Sequence, residues 1–243
     1  MIAYLTNAES CDSLSINLID RLSQKAVPVN MSNENSAKSL RGLREDGIVY
    51  VAAELFLQNG IENVKMTDVA EKAEVGVASL YRYFGTKETL VIRAGALLWR
   101  DLNTLFSSVY EAEDFLACPG IERVSRLFGV YRTLFREQPE FIRFVGDFDN
   151  FVMRAKPDPA AMAEYEAGVL NFFPVFFSSY EAGIRDGSIR PIASPRLYYD
   201  SVCHAVMALA QKLLRGEILQ TDGFGDASEL TLLLDMAERY LHP

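Results

Sequence analysis

Residues 66–88 read MTDVAEKAEVGVASLYRYFGTKE, and this stretch decides the fold. Small and apolar side chains recur at helical spacing in its first part, and Leu80 and Phe84 stand four residues apart in its second part. The pattern predicts two short helices joined by a tight turn. The second helix keeps aromatic, hydroxyl and cationic side chains on its polar face, which suits the major groove of DNA. We therefore predict a helix-turn-helix element.

The turn between these two helices falls at Glu74, and the apolar Val75 follows it. Turns of this kind often need a positive φ, which glycine adopts without a steric cost. Glu74 departs from that preference, and we expect the fold to tolerate it at a modest cost.

The sequence on either side of this element is also helical in pattern. Apolar residues at helical spacing predict a helix over 44–59, closed by Gly60 as its C-cap. Thr86 is predicted to cap a long helix that begins at Lys87 and continues to about Tyr110.

The rest of the chain predicts further helices and no strands. Their ranges are roughly 121–137, 139–153, 159–186, 196–215 and 227–241. Pro174 is expected to kink the helix over 159–186, because proline lacks the amide that an internal helical hydrogen bond needs. The predicted fold class is all-α.

The first half of the chain resembles the tetracycline-repressor (TetR)/AcrR family of bacterial transcriptional regulators over about residues 44–92. The residues that carry the resemblance are Val51-Ala52-Ala53-Glu54-Leu55-Phe56, Gly60, Val69-Ala70, Ala73, Val75, Ser79-Leu80-Tyr81-Arg82-Tyr83-Phe84, Lys87-Glu88 and Leu90. The resemblance implies a three-helix helix-turn-helix DNA-binding domain at 41–86, followed by a helical effector-binding and dimerisation domain at 87–243.

Residues 1–40 are predicted to be a disordered or loosely packed extension, since they are polar and weakly periodic. A short amphipathic helix near residues 14–22 is the alternative. Met31 is a possible true start of the protein, in which case residues 1–30 would not belong to it.

By the same resemblance, the recognition helix meets base edges through its first turn and the DNA backbone through its flanks. The implied DNA-binding residues are Lys65, Thr67, Val77, Ala78, Ser79, Tyr81, Arg82, Tyr83 and Lys87. Lys65 and Gly76 replace capping Ser or Thr residues of the family pattern, which weakens both helix starts. Read one by one, the two tyrosines could instead be packing aromatics and Lys87 a solvated charge.

The composition excludes several classes of protein. No apolar run approaches the roughly 18 residues that a membrane-spanning helix needs, and three widely spaced cysteines form no metal or disulfide pattern. We expect a cytoplasmic protein without a cofactor or a metal, and not an enzyme, because no phosphate loop or nucleophile motif appears. The net charge is −9, yet residues 37–100 carry nine basic and eight acidic side chains, so the acidity lies outside the DNA-binding module.

Thirteen of the 15 phenylalanines follow residue 100, which makes the second half unusually aromatic. Such residues form the walls of many ligand pockets, and they also fill ordinary helical cores. The candidate residues for an effector site are Phe106, Phe148, Phe172, Phe176 and His204. The expected effector is a small apolar or aromatic molecule.

The resemblance also implies a homodimer formed through the helices near 196–215 and 227–241, which would read a palindromic operator in double-stranded DNA. The expected function is a ligand-responsive transcriptional regulator, and specifically a repressor that its effector releases from DNA. The alternative is a helical ligand-binding or protein-docking module whose DNA binding has decayed.

Overall fold

The computed structural model describes residues 37–169, 172–215 and 227–243, and within these ranges it contains helices and no strands. The α-helices in these ranges are α1 Ala37–Asn59, α2 Met66–Lys72, α3 Val77–Phe84, α4 Lys87–Glu111, α5 Gly120–Glu137, α6 Pro139–Ala155, α7 Pro159–Gly168, α8 Phe173–Asp186, α9 Pro195–Leu214 and α10 Ser228–Leu241. A short 3-10 helix, Phe115–Ala117, joins α4 to α5. None of the described helices is both long and apolar enough to cross a membrane. The predicted all-α class is confirmed.

Helices α1, α2 and α3 pack around one small core. Ala52 and Phe56 of α1, Ala70 of α2 and Leu80 and Phe84 of α3 are all buried. The two small residues, Ala52 and Ala70, leave room for these helices to pack closely. Helix α1 begins at Ala37, seven residues before the predicted start, and most of the predicted extension lies outside the described residues.

The turn between α2 and α3 has the conformation that the sequence predicted. Glu74 has a φ of 54°, which is the left-handed region that favours glycine. The turn is closed by hydrogen bonds from the Glu74 N–H to the Glu71 carbonyl and from the Val75 N–H to the Ala70 carbonyl, at 3.1 and 2.9 Å. These bonds hold a glutamate in a backbone conformation that costs free energy.

Helix α4 connects the three-helix unit α1–α3 to the rest of the molecule. Its N-cap is Thr86, whose side-chain oxygen accepts a hydrogen bond from the Thr89 N–H at 3.3 Å, as predicted. Its first turns pack against α1 and its later turns against α6 and α7. Because the helix runs for 25 residues without a break, it links both domains as one rigid element.

The predicted kinked helix over 159–186 is instead two helices, so this prediction is wrong. Helix α7 ends at Gly168, and Pro174 stands in the first turn of α8. A proline in the first turn removes no helical hydrogen bond, because the amides there have no partner within the helix. The break therefore costs less than a kink in the middle of a longer helix.

The C-terminal domain is built around aromatic rings and close helix crossings. At Gly120 of α5, an added Cβ would lie 2.1 Å from the Gly183 amide nitrogen of α8, so only glycine permits this crossing. Helix α9 packs on α6, α8 and α10, and α10 also packs on α5. Thus α9 and α10 form one outer layer of the domain.

Candidate DNA interface and effector site

The recognition helix α3 divides into a buried side and an exposed side. Leu80 and Phe84 are buried, whereas Val77 is 38% and Tyr81 49% exposed. Ala78 and Arg82 are exposed as well. The helix therefore presents small, aromatic and cationic groups to solvent, which is the surface that a helix in the major groove must offer.

Arginine and tyrosine side chains form a cluster at one edge of this face. The Arg82 guanidinium lies 5.4 Å from the centre of the Tyr83 ring and donates a hydrogen bond to Ser79 Oγ at 3.3 Å. The Arg41 guanidinium of α1 lies 5.6 Å from the same ring. Arg41 was not among the predicted site residues, and its place beside Tyr83 adds a second cation to the predicted surface.

Lys65 and Thr67 stand at the start of α2. The Lys65 backbone N–H donates to Asp68 Oδ2 at 2.8 Å, so the carboxylate satisfies one end of the cap. No side chain caps the helix from Lys65 itself, as expected for a lysine. Both Lys65 and Thr67 are exposed, so the Lys65 ammonium is available to a phosphate.

Lys87 has a different environment from the one its predicted role suggests. Its Nζ donates a hydrogen bond to the Ile61 carbonyl at 2.6 Å, across the boundary between the two domains. Burial lowers the pKa of the Lys87 ammonium, against the raising effect of Glu62, Glu88 and Asp68. Lys87 therefore first ties α4 to the loop after α1, and only its remaining N–H donors could meet a phosphate.

The four phenylalanines predicted for an effector site are buried in a packed core. Phe148 stacks on Tyr165, Phe172 meets the edge of Tyr110, and Phe176 lies against Tyr198 and Tyr199. His204 is exposed, because Val202 and Val206 take the buried side of α9. The structure therefore does not bring His204 together with the four rings.

Tyr165, on which Phe148 stacks, is also hydrogen-bonded within the core. The Trp99 Nε1–H donates a hydrogen bond to the Tyr165 hydroxyl at 2.9 Å, and both side chains are buried. Burial raises the pKa of Tyr165 to about 12, and the Asp149 carboxylate adds to this, while the Trp99 bond opposes it. Trp99 and Tyr165 are 66 residues apart, so no local pattern in the sequence could have paired them.

An open cleft of about 510 Å³ lies where the end of α1 meets α6. It is lined by Phe56, Leu57, Gln58, Asn59, Gly60, Asn63, Glu140, Arg143, Phe144 and Asp147. None of the predicted effector residues is in this lining. The cleft is amphiphilic and is walled by both domains, so its shape depends on how they are oriented.

Charged side chains near this cleft connect α6 with the loop after α1. Arg154 of α6 forms an ion pair with Glu62, in the loop after α1. Asp147 lies against the same loop, since a Cβ on Gly60 would be 3.1 Å from Asp147 Oδ2. Burial raises the pKa of Asp147 and the Glu62 charge adds to this, while Arg215 lowers it. Gly60, Ile61 and Glu62 are thus contacted from α4 and α6 together.

Groups of three or more His, Cys, Asp or Glu side chains suited to a metal ion do not occur in the described part of the chain.

Comparison with known proteins finds matches to both parts of the chain. Residues 48–94 match the model of the tetR family of bacterial regulatory proteins. An HTH-type transcriptional regulator of Staphylococcus aureus is 33% identical over 64 residues, which are 26% of this chain and 33% of that protein. The chain thus matches about a third of the length of this curated relative.

Two solved structures share the fold over most of the chain. The ketosteroid transcriptional regulator KstR2 of Mycobacterium tuberculosis aligns with a TM-score of 0.52 at 17% identity, over 82% of this chain and 95% of its own. RolR in complex with resorcinol aligns with a TM-score of 0.52 at 15% identity, over 84% of this chain and 90% of its own. At these identities the likeness concerns the fold.

Proposed function

We propose that the chain is a ligand-responsive transcriptional repressor of the tetR family of bacterial regulatory proteins, whose model residues 48–94 match. The observation that carries the proposal is the exposed face of α3, where Val77, Ala78, Tyr81 and Arg82 project from a helix anchored by Leu80 and Phe84. An anchored helix with such a face is suited to read a DNA groove.

Base reading is assigned to the first turn of α3. Val77 and Ala78 can contact thymine methyl groups, and the Ser79 hydroxyl can exchange its bond from Arg82 for one to a base or a phosphate. Tyr81, Tyr83 and Arg82 would flank the groove, with Arg41 as an added cation. Lys65 and Thr67 would contact the DNA backbone from the start of α2.

Lys87 takes a structural part in this proposal as well as an electrostatic one. Its Nζ is already bonded to the Ile61 carbonyl, and an ammonium has three donors. It can therefore support α1 while it attracts a phosphate with its remaining donors.

A homodimer is supported by apolar side chains on the outer surface of α9 and α10. Leu232 is 61% and Met236 59% exposed on α10, and Leu197 on α9 and Tyr240 on α10 are also exposed. Exposed apolar groups concentrated on one layer mark an interaction surface. A two-fold dimer would place two recognition helices at half-sites one turn of DNA apart or more, about 34–36 Å.

The buried sides of α9 and α10 do not belong to this surface. Val202 and Val206 of α9, and Leu230 and Leu234 of α10, are buried in the subunit's own core. The dimer surface is therefore assigned to the opposite sides of the same two helices.

An effector would act by shifting populations of conformations. A ligand that binds the C-terminal domain better in one domain orientation favours that orientation. Helix α4 would carry the change, because it contacts both domains. Release from DNA follows if the favoured orientation no longer matches the half-site spacing.

The proposal can be tested by selecting genomic DNA fragments with the full-length protein at low salt. We expect enrichment of a palindromic sequence. A matched variant, Ala78→Glu, places a carboxylate on the exposed start of α3 and should lose the enrichment while its helical content stays unchanged. Absence of any enriched palindrome with the parent protein would contradict the proposal and favour a helical module without DNA binding.

A further inference from the structure

We propose that the Tyr165 side chain occupies the binding slot of a phenolic effector, and that such a ligand binds by displacing this ring from between Trp99 and Phe148. That the ligand acts as an effector rests on the proposed function, whereas the slot itself is defined by contacts within the C-terminal domain.

The slot has the width of one aromatic ring. Tyr165 stacks on Phe148 with ring centres 4.1 Å apart and planes 15° from parallel. On α4, an added Cβ at Gly95 would lie 3.0 Å from Tyr165 Cδ2 and Cε2 and 3.1 Å from Phe148 Cε2. Glycine at this position therefore leaves space that a flat ring fills and a side chain would close.

One polar group in the slot sets the chemistry of the ligand. The Trp99 Nε1–H is buried and donates to the Tyr165 hydroxyl at 2.9 Å. If the tyrosine leaves, this donor needs another acceptor, because an unpaired buried N–H costs about 1–3 kcal/mol. A phenol supplies both the ring for Phe148 and the oxygen for Trp99.

The environment also selects against charged ligands. Burial raises the pKa of the Tyr165 hydroxyl, and the nearby Asp149 carboxylate adds to the rise. A negatively charged ligand in the slot would likewise lose its hydration and would be repelled by Asp149. The slot should therefore take a neutral phenol and reject an aromatic carboxylate of the same size.

Among the described side chains of α7, Tyr165 reaches deepest into the core. The helix has ten residues, and among its described side chains Tyr165 alone is buried, while Ala160, Ala163 and Ala167 are exposed. A helix of this length is marginal by itself in water, so its position depends on its packing against α4. Displacement of the Tyr165 ring would therefore change how α7 sits on α4.

The slot is connected to the DNA-binding domain through α4. Gly95 and Trp99 lie two and three turns after Lys87 on this helix, and Lys87 is bonded to the Ile61 carbonyl. A ligand that moves α7 relative to α4 therefore acts on the element that supports α1.

The test uses the full-length protein, in which Trp99 is the single tryptophan and so reports on the slot by its fluorescence. The probes are 4-methylphenol, toluene and 4-methylbenzoate. We expect a saturable change with 4-methylphenol, and binding of toluene and 4-methylbenzoate weaker by about tenfold or more, because each lacks a neutral oxygen for the indole N–H.

The variant Tyr165→Phe makes the displacement itself testable. It keeps the ring but removes the hydroxyl that competes for Trp99, so 4-methylphenol should bind about tenfold tighter than to the parent protein. The matched control is Tyr110→Phe, which removes a hydroxyl from another aromatic contact on α4 and should leave the affinity unchanged. Thermal unfolding with and without ligand gives a second readout.

Two results would overturn the proposal: no saturable binding of 4-methylphenol to either Tyr165 form, or equal affinity for the parent protein and Tyr165→Phe. DNA binding is measured separately, on enriched fragments with and without 4-methylphenol. If the proposed function is wrong, the protein does not bind DNA although 4-methylphenol still binds. If the proposed slot is wrong, 4-methylphenol does not bind at Tyr165 although the protein still binds DNA.

Discussion

At the scale of single residues, the proposed DNA-binding face and the turn before it combine a strained backbone position with a hydroxyl that is already hydrogen-bonded. Glu74 holds a φ of 54° in the turn before α3, and Ser79 Oγ is already engaged by Arg82. The first feature costs stability, and the second joins Ser79, which we propose reads a base, to a cation. Each can be changed without touching the buried core.

Replacing Glu74 with glycine should stabilise the protein by about 0.5–1 kcal/mol, because glycine adopts a positive φ without a steric cost. Chemical denaturation measures the change. The matched control is Glu71→Gly in the last turn of α2, which removes the same charge where φ is helical and should destabilise by up to about 1 kcal/mol. Equal effects of the two substitutions would show that strain at Glu74 is unimportant.

Lys65→Ala and Ser79→Ala should weaken DNA binding in different ways. Loss of the Lys65 ammonium should lower affinity for all sequences and reduce the salt slope by about 1. Loss of the Ser79 hydroxyl should change the preferred bases, with discrimination altered by about 1–3 kcal/mol. Titrations at several salt concentrations on matched and altered operators separate the two, and an unchanged base preference in Ser79→Ala would rule out base reading there.

At the scale of elements, helix starts and ends were predictable where a local residue decides them. Gly60, with a φ of 78°, follows α1, and Thr86 caps α4, both as expected. The prediction of a kink at Pro174 is wrong because a proline fits either a kink or the first turn of a helix, and only packing decides between them. The position of His204 and the Trp99–Tyr165 bond likewise depend on contacts between distant helices.

The packing of α6 against the loop after α1 predicts a pH-dependent effect of Asp147. Its pKa is raised above the ordinary 3.8, chiefly by burial, so the charged form is disfavoured in the folded state. The free energy of unfolding therefore falls as the pH rises from 3.8 through the raised pKa of the folded state. Asp147→Asn should therefore stabilise the protein at pH 7 by only about a few tenths of a kcal/mol, since the side chain is just partly buried and solvent screens its charge.

Below pH 3.8 the gain should vanish, because Asp147 is then protonated and neutral like asparagine. Denaturation at pH 7 and pH 3.5 checks the sign. A gain of equal size at both pH values would mean that packing, rather than charge, is responsible.

At the scale of the whole molecule, the exposed side of α10 predicts how the subunits associate. Met236→Glu introduces a charge in the centre of the apolar surface and should convert a dimer to a monomer, with loss of binding to a two-half-site operator. Sedimentation measures the mass. The control is Leu116→Glu, since this leucine is also exposed but lies in the short helix after α4; if both variants stay dimeric, the interface lies elsewhere.

The turn at 60–62 has a consequence for the descent of such proteins. In the proposed regulator, α2 and α3 read DNA and the C-terminal helices bind the ligand, and the two parts meet where Lys87 bonds Ile61 and Arg154 pairs with Glu62. A duplicated gene could therefore accumulate substitutions around Tyr165 and acquire a new inducer while it keeps the ancestral operator. Conversely, an altered α3 could be inherited with the old sensor, provided that this turn is preserved.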